Sequence, residues 1–415
     1  MAHVNFARFA TQRRELRLED VLPQAGGASS FAAFCGSADQ RRSVALRGIR
    51  RSCGRMGVVV LQNDPQLAAE VGSLREGFSS AAGANLAFRT YSMNPVGSLE
   101  HYYDPLYGLS AAAALDALIP DDMPPAEAHV LRSYLSAYLQ IMLVQFRMRP
   151  DPFGAYPYNL DLLLDLTEMS PSRLEADVIN HMPSQDAQAV RTVLSQEDSQ
   201  QRAYAAVRAF AFEMGAYLWT RRGFARHTRA SVAATVRNGC IASVTMPTSN
   251  KTVFRCLYQE LRSLVEERCS FLLVVSDVAL DEAPDVRRLI TAPHESAGYI
   301  TGVTAPDVQH VARDDAEVGA LIAQHADVLV FRCASTQQAE PFSQAFGTYR
   351  RIVTDRQANT YRQPFGLFSS HGAGSTRREV QERNINGEEL VDLRNGAVLC
   401  GSAHARPVLF NRVVL

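Results

Sequence analysis

The residues best suited to chemistry lie in the segment Gly36–Ser43, which reads Gly-Ser-Ala-Asp-Gln-Arg-Arg-Ser. Gly36 and Ser43 occupy the outer positions of the phosphate-loop pattern GxxxxGK(S/T). Arg41 stands in place of the inner glycine, and Arg42 in place of the lysine. The inner glycine lets backbone N–H groups close around phosphates, and the lysine supplies a compact positive charge. Both changes therefore argue against ordinary nucleotide hydrolysis.

The neighbouring segments are those that a phosphate loop requires. An apolar run, Ser30–Cys35, precedes Gly36, Val44–Ile49 follows, and a second apolar run spans Val58–Leu61. This order predicts a strand, a loop, a helix and a strand. The simpler alternative is an ordinary strand-to-helix turn with solvated arginines, since a glycine and a serine at this spacing also occur by chance.

A second candidate lies at the end of the apolar run Phe271–Val275, which continues as Ser276-Asp277. This run resembles a Walker B strand, which needs an aspartate for magnesium and usually a glutamate to activate water. Asp277 supplies one carboxylate, and the glutamate is missing. We therefore expect Ser43 and Asp277 as the magnesium positions, against the alternative that Asp277 merely ends a hydrophobic strand.

Composition limits the function classes. The chain has 415 residues, a formal net charge of -1 and 47% hydrophobic residues, so it can bury a large core and has no overall basic character. Its basic residues are almost all arginine, with Lys251 as the single lysine. The seven cysteines include no CxxC pair, which indicates a reducing compartment. No run of about 18 apolar residues predicts a membrane span.

The hydrophobic pattern changes twice along the chain. Short apolar strands alternate with helix-like stretches from residue 30 to 110 and again after Arg237, which predicts βαβ units on a parallel sheet. In between, apolar residues recur at helical spacing. The predicted helices there are Ser110–Leu118, Ala126–Phe146, Ser170–Ile179, Ser184–Leu194 and Asp198–Trp219.

This order predicts an α/β fold with a mostly parallel central sheet and an inserted all-α domain. We place an N-terminal segment at 1–29, a discontinuous nucleotide-binding-type domain at 30–109 and 220–415, and the insertion at 110–219. The Gly/Ser-rich stretch Ser369–Ser375 is predicted to be a loop.

Taken in order, these segments resemble the cytosolic ATPase part of the TraG/TraD-type coupling proteins of conjugation and type IV secretion. The resemblance covers roughly residues 28 to 415 and lies in the colinear order of short landmarks. Beyond Gly36–Ser43 and Phe271–Asp277, these are Asp64-Pro65, Met93–Pro95, Tyr103–Leu106, the helical residues 110–219, Ile241–Pro247, Thr252–Phe254, Ile300–Gln309, Phe331–Gly347, Glu379–Ile385, Gly387–Leu390 and Arg406–Val408.

The resemblance implies a RecA-like P-loop core and roles for individual residues. Gly36, Arg41, Arg42 and Ser43 stand at the nucleotide-binding positions, with ATP and Mg²⁺ as cofactors bound weakly or not at all. Asp277 and Gln309 stand at degenerate Walker B and sensor positions. The inner glycine, the lysine and the Walker B glutamate are replaced in this sequence. We also expect the protein to lack the N-terminal membrane anchor of the family.

One basic cluster is a candidate contact for DNA phosphates or for an acidic partner. It consists of Arg221, Arg222, Arg226 and Arg229, with Trp219 and Phe224 between or beside them. The structural alternative is a solvated helix end.

Two functions stay open. The first is a non-catalytic, coupling-protein-like component that acts as a scaffold or partner in DNA transfer or secretion, together with other components such as an intact coupling ATPase. The second is an active DNA translocase that recruits acids such as Asp281 or Glu282, or a group from a neighbouring subunit of a homo- or hetero-oligomer. For either, we expect a cytoplasmic protein that reaches the inner membrane only through partners.

Overall fold

The computed structural model describes residues 12–13, 15–22, 29–82, 88–92, 102–150, 155–214, 229–245, 251–281, 283–291, 298–361, 370–394, 396–401 and 407–415. The strands are β1 Gln12–Arg13, β2 Leu16–Arg17, β3 Phe31–Phe34, β4 Gly57–Gln62, β5 Phe88–Ser92, β6 Tyr102–Tyr103, β7 Arg229–Ala230, β8 Ile241–Thr245, β9 Phe271–Ser276, β10 Tyr299–Ala305, β11 Asp327–Val330, β12 Thr348–Tyr361, β13 Ser370–Arg383, β14 Ala397–Gly401, β15 Val408–Phe410 and β16 Val413–Val414. The α-helices are α1 Leu18–Val21, α2 Ala38–Ser52, α3 Pro65–Ala82, α4 Ala111–Leu118, α5 Pro125–Met148, α6 Leu160–Glu168, α7 Pro171–Asp177, α8 Ser184–Leu194, α9 Ser199–Glu213, α10 Val232–Arg237, α11 Lys251–Glu266, α12 Pro284–Thr291, α13 Asp315–Gln324, α14 Thr336–Ala345 and α15 Gly387–Asp392.

A ten-stranded sheet organises the chain, in the order β1-β15-β14-β11-β3-β10-β9-β4-β8-β5. Its pairs are parallel except for β11–β14 and β14–β15. The predicted α/β class with a mostly parallel sheet is therefore confirmed. Strand β10 lies between β3, which precedes Gly36, and β9, which precedes Asp277.

The central strands are apolar on both faces because helices cover both sides of the sheet. All residues of β3, β4 and β9 are buried. Leu272 and Val274 of β9 face the core that contains α2 and α3. Leu273 and Val275 face the core that contains the helices α11 to α14. The two layers hold the carboxyl ends of β3, β10 and β9 side by side.

Helices fill the middle of the chain, as the sequence pattern predicts. The helices α4 to α9 lie between β6 and β7 in sequence, and Ser110, Asn159 and Ser170 cap the N-termini of α4, α6 and α7 with their side chains. A helical region is thus inserted into the α/β chain, while its boundaries at 110 and 219 stay a prediction.

Strands β12 and β13 form a long hairpin as a two-stranded sheet of their own. The prediction of a loop at Ser369–Ser375 is wrong from Ser370 onward, where β13 begins. Gly372 and Gly374 pair with Asn359 and Gln357 of β12, so cross-strand backbone bonding overrides the weak strand preference of glycine.

Within the parts of the chain that the structure describes, no helix combines the length and apolar character that a membrane crossing needs. In those same parts, no three His, Cys, Asp or Glu side chains come together as metal ligands.

The ring of Phe31 on β3 fills the space beside two glycines. Alanine at such a glycine should therefore destabilise the protein, although alanine usually stabilises a helix. A Cβ at Gly48 of α2 would lie 2.0 Å from Cε1 of Phe31, and a Cβ at Gly302 would lie 2.2 Å from its Cζ. We expect Gly48→Ala to lower the free energy of unfolding by roughly 1–3 kcal/mol, because overpacking outweighs the gain in helix propensity.

Gly319 in α13 is the matched control, since a Cβ there meets nothing within 4 Å. Gly319→Ala should raise the free energy of unfolding by about 1 kcal/mol. Urea denaturation of both variants checks the pair, and stabilisation by Gly48→Ala would contradict the close packing of Phe31 against α2.

Candidate functional site

The connection between β3 and α2 is three residues long, Cys35–Ser37, because α2 begins at Ala38. Ser37 caps the helix: its Oγ accepts from the Gln40 amide at 3.2 Å, and its own amide donates to Gln40 Oε1 at 2.8 Å. The phosphate-loop pattern assigns residues 37 to 40 to a loop that surrounds phosphates. Here those four residues form the cap and first turn of a helix.

Two successive residues of this connection have left-handed backbone angles, Cys35 with φ 62° and Gly36 with φ 66°. The Cys35 amide donates to the Ala305 carbonyl of β10, and the Gly36 amide donates to the Arg332 carbonyl after β11. A Cβ on Gly36 would lie 2.4 Å from Gln40 Oε1 and 2.6 Å from Phe331 Cβ. The turn is therefore tight and bonded to both neighbouring strands.

Arg41 is the central side chain of the site. Its Nε and Nη2 donate to Oδ1 and Oδ2 of Asp277, each at 2.8 Å. Its Nη1 donates to the carbonyls of Cys35 at 3.2 Å and Gly36 at 2.9 Å. The side chains of Arg41 and Asp277 are only 8% and 20% exposed, so this is a largely buried, bidentate ion pair.

Asp277 reaches Arg41 because the sheet places it there. It follows β9 directly, has φ 54°, and its amide donates to the Thr304 carbonyl of β10 at 2.8 Å. A non-glycine residue in this region is uncommon, and such residues cluster at functional sites. The turn directs the carboxylate across β10 towards the start of α2.

Arg42 binds a different set of acids. Its guanidinium contacts Asp64 Oδ2 at 3.0 Å, Glu70 Oε1 at 3.3 Å and also the Asp39 carboxylate. Asp64 belongs to the Asp-Pro landmark after β4, and its Oδ1 accepts from the Gln66 amide in the first turn of α3. Arg42 therefore joins the start of α2 to the start of α3.

The remaining predicted site residues are more scattered. Ser43 lies half-buried in the second turn of α2, and Gln309 is exposed in the short 3₁₀ helix after β10. Asp281 is exposed after β9, while Glu282 is outside the described residues. Arg221, Arg222, Arg226 and the Arg229 side chain are outside them too. The binding roles of all these residues stay predictions.

Sequence reasoning missed three features of this site. The pairing of Arg41 with Asp277 joins residues far apart in sequence, and no local pattern predicts it. The contacts of Arg42 with the three acids Asp39, Asp64 and Glu70 are likewise not predicted by the sequence pattern. The early start of α2, however, has a local signal: Ser37-Ala38-Asp39-Gln40 matches the capping-box pattern S-x-x-Q.

The described residues do not fit a magnesium–nucleotide complex in this arrangement. Both oxygens of Asp277 accept from Arg41, and the amides of Gly36 and Gln40 already donate to Arg332 and Ser37. The guanidinium of Arg41 lies between the carbonyls of Cys35 and Gly36 on one side and the Asp277 carboxylate on the other. Binding would require the Arg41 side chain to leave Asp277.

No family model matches the sequence, and no curated protein is similar to it. Among solved structures, the unbound monoclinic form of the bacterial conjugative coupling protein TrwB has 12% identity and a TM-score of 0.46, covering 95% of this chain and 85% of that chain. TrwB in complex with ADP and Mg²⁺ has 13% identity and a TM-score of 0.43, covering 98% and 88%. VirB4 of Thermoanaerobacter pseudethanolicus has 11% identity and a TM-score of 0.48, covering 93% and 89%. Each of these likenesses is at low sequence identity and concerns the fold alone.

The ion pair of Arg41 and Asp277 predicts a large coupling energy. Arg41→Ala and Asp277→Ala should each lower the free energy of unfolding by about 3–5 kcal/mol, because each leaves a largely buried charge without its partner. The double variant should be more stable than the sum of the single effects predicts, by on the order of 2 kcal/mol.

The exposed pair of Arg173 Nε and Asp177 Oδ2, 3.2 Å apart with side chains 68% and 57% exposed, is the matched control. Its coupling energy should stay below about 0.5 kcal/mol. Equal coupling energies for the two pairs in denaturant titrations would contradict the central place of Arg41.

Proposed function

We propose that this chain is a degenerate, coupling-protein-like component of a conjugative DNA-transfer or type IV secretion system. It acts as a scaffold or partner and binds nucleotide weakly at most. The observation that carries the proposal is the bidentate contact of Arg41 with Asp277, since it joins the two positions that an active relative would use for phosphate and magnesium.

The energetics of this contact support loss of nucleotide chemistry. A nucleotide must displace a guanidinium that makes four hydrogen bonds, two to a carboxylate and two to backbone carbonyls. A nucleotide must therefore break these four hydrogen bonds and separate a largely buried ion pair before it binds, and the free energy of doing so is subtracted from its affinity.

Hydrolysis faces a further obstacle. A carboxylate that orients the attacking water is a usual requirement of phosphoryl transfer. Asp277 is engaged by Arg41, and the pair of acids that the resemblance implies reads Ser276-Asp277 here, with one carboxylate only. Turnover should therefore be slower by several decades than in an intact ATPase.

The assembly context of the proposal comes from the colinear sequence landmarks, and the RecA-like strand order supports it. A scaffold of this kind keeps the shape of an ATPase subunit, so it fits beside an intact coupling ATPase or in a homo- or hetero-oligomer. DNA is the second partner that we propose, through the basic cluster Arg221, Arg222, Arg226 and Arg229.

Nucleotide binding tests the proposal directly. Millimolar ATP with Mg²⁺ should leave the midpoint of thermal unfolding of the wild-type protein unchanged. A site with a Kd one hundred times below the ligand concentration would stabilise the protein by about 2.7 kcal/mol, which is a shift of roughly 3 °C. A shift of that size, matched by heat of binding in calorimetry, would overturn the proposal of weak binding.

Two variants sharpen the test. Arg41→Gly restores the glycine of the pattern and frees Asp277, so its nucleotide-dependent shift should exceed that of the wild type. Arg47→Ala, on the same helix and paired only loosely with Glu19 at 3.7 Å, should behave like the wild type. ATP turnover that is lost in Asp277→Ala would favour the active translocase instead.

A further inference from the structure

Two thiols meet beside the site although their positions lie 298 residues apart. The sulfurs of Cys35 and Cys333 are 3.5 Å from each other. Both residues are buried, with 2% and 0% of their surface exposed. Of the six cysteines whose side chains the structure describes, all are present as free thiols.

The sheet creates this meeting. Strands β3 and β11 are parallel neighbours in which Phe34 lies opposite Val330. Past the strand ends, the Phe331 amide donates to the Phe34 carbonyl, and the Gly36 amide donates to the Arg332 carbonyl. The segments that follow β3 and β11 therefore leave the sheet side by side, with Cys35 on the first and Cys333 on the second.

Backbone contacts fix each cysteine in place. The Cys35 amide donates to Ala305, and the Cys333 amide donates to Leu390. Cys35 directly precedes the exposed residues Gly36 and Ser37 in the chain. A disulfide has an S–S bond of about 2.05 Å, and the sulfurs need to approach by only about 1.5 Å to form one.

We propose that Cys35 and Cys333 form a reversible disulfide when the protein meets a peroxide. The bond would tie the turn before α2 to the segment before α14, and so hold the Cys35 carbonyl that accepts from Arg41. The inference concerns a modification site and does not depend on the proposed function.

The chemistry balances with hydrogen peroxide as the oxidant. The sulfur of Cys35 attacks one peroxide oxygen, the O–O bond breaks, and a sulfenic acid and one water form. The sulfur of Cys333 then attacks the Cys35 sulfur, the S–O bond breaks, and the hydroxide leaves as a second water with the Cys333 proton. The two thiols are oxidised, and the peroxide is reduced to two waters.

The hydrogen bond with the Cys333 thiol and, after it, burial raise the pKa of the Cys35 thiol. The thiolate is the reactive form, so the first step is slow and the pair stays reduced without an oxidant. This agrees with the reducing compartment that the cysteine pattern indicates.

The experiment uses the full chain under native conditions. Hydrogen peroxide is raised until the half-buried Cys269 is oxidised, free thiols are then blocked, and the protein is digested for mass spectrometry. We expect a peptide pair joined through Cys35 and Cys333 that disappears after treatment with a reductant. The oxidised protein should also unfold about 3–6 °C higher than the same sample after reduction.

The controls decide between specific and random oxidation. Cys35→Ser and Cys333→Ser should each abolish the linked pair, while Cys53→Ser should keep it. Absence of the linked pair in wild-type protein whose Cys269 is oxidised overturns the proposal, whether or not the serine variants fold. A link from Cys35 to another cysteine would overturn it too.

Discussion

A guanidinium held away from water must find an acid and further acceptors, and this requirement shapes the site around Arg41. Asp277 meets it with two bonds, and the carbonyls of Cys35 and Gly36 meet it with two more. Each partner depends on a parallel strand: β9 delivers Asp277, and β3 delivers the two carbonyls. The left-handed angles of Cys35, Gly36 and Asp277 turn these groups towards one another.

The turn before α2 is compact because its polar groups are bonded within the protein: its carbonyls accept from Arg41, and its amides have partners as well. A phosphate loop keeps its amides unpaired for the ligand, whereas here the amides of Gly36, Ser37 and Gln40 donate to groups of the protein itself. Ser37 and Gln40 close the helix end, and Arg332 accepts from Gly36. In the proposed scaffold, internal contacts thus replace those that a nucleotide would make, and the subunit keeps its shape without a ligand.

Much of the fold could be predicted from apolar patterns. The run Phe271–Val275 corresponds to β9, and the helix prediction Ser184–Leu194 matches α8. Such elements are stabilised by burial of one or two faces, and the spacing of apolar residues in the sequence shows which faces these are. The sequence pattern instead predicts a loop at Ser369–Ser375, where β13 begins, because the glycines there are held by pairing with β12 and not by their own preference.

The site was predicted less completely, for a physical reason. Gly36, Arg41 and Asp277 were recognised as positions, yet the bond between Arg41 and Asp277 depends on strand order, which no local pattern contains. The meeting of Cys35 with Cys333 depends on strand order in the same way. Because nearly all basic residues of this chain are arginines, residue type alone does not predict that Arg41 is buried.

The most direct measurement is a crystal structure of the protein grown with millimolar Mg²⁺ and a non-hydrolysable ATP analogue. We predict that the Arg41 guanidinium remains bidentate on Asp277 and that no phosphate lies over the turn at Gly36. A structure in which Arg41 has swung away, with phosphates against the start of α2 and a metal ion on Asp277, would contradict the claim that this ion pair closes the site.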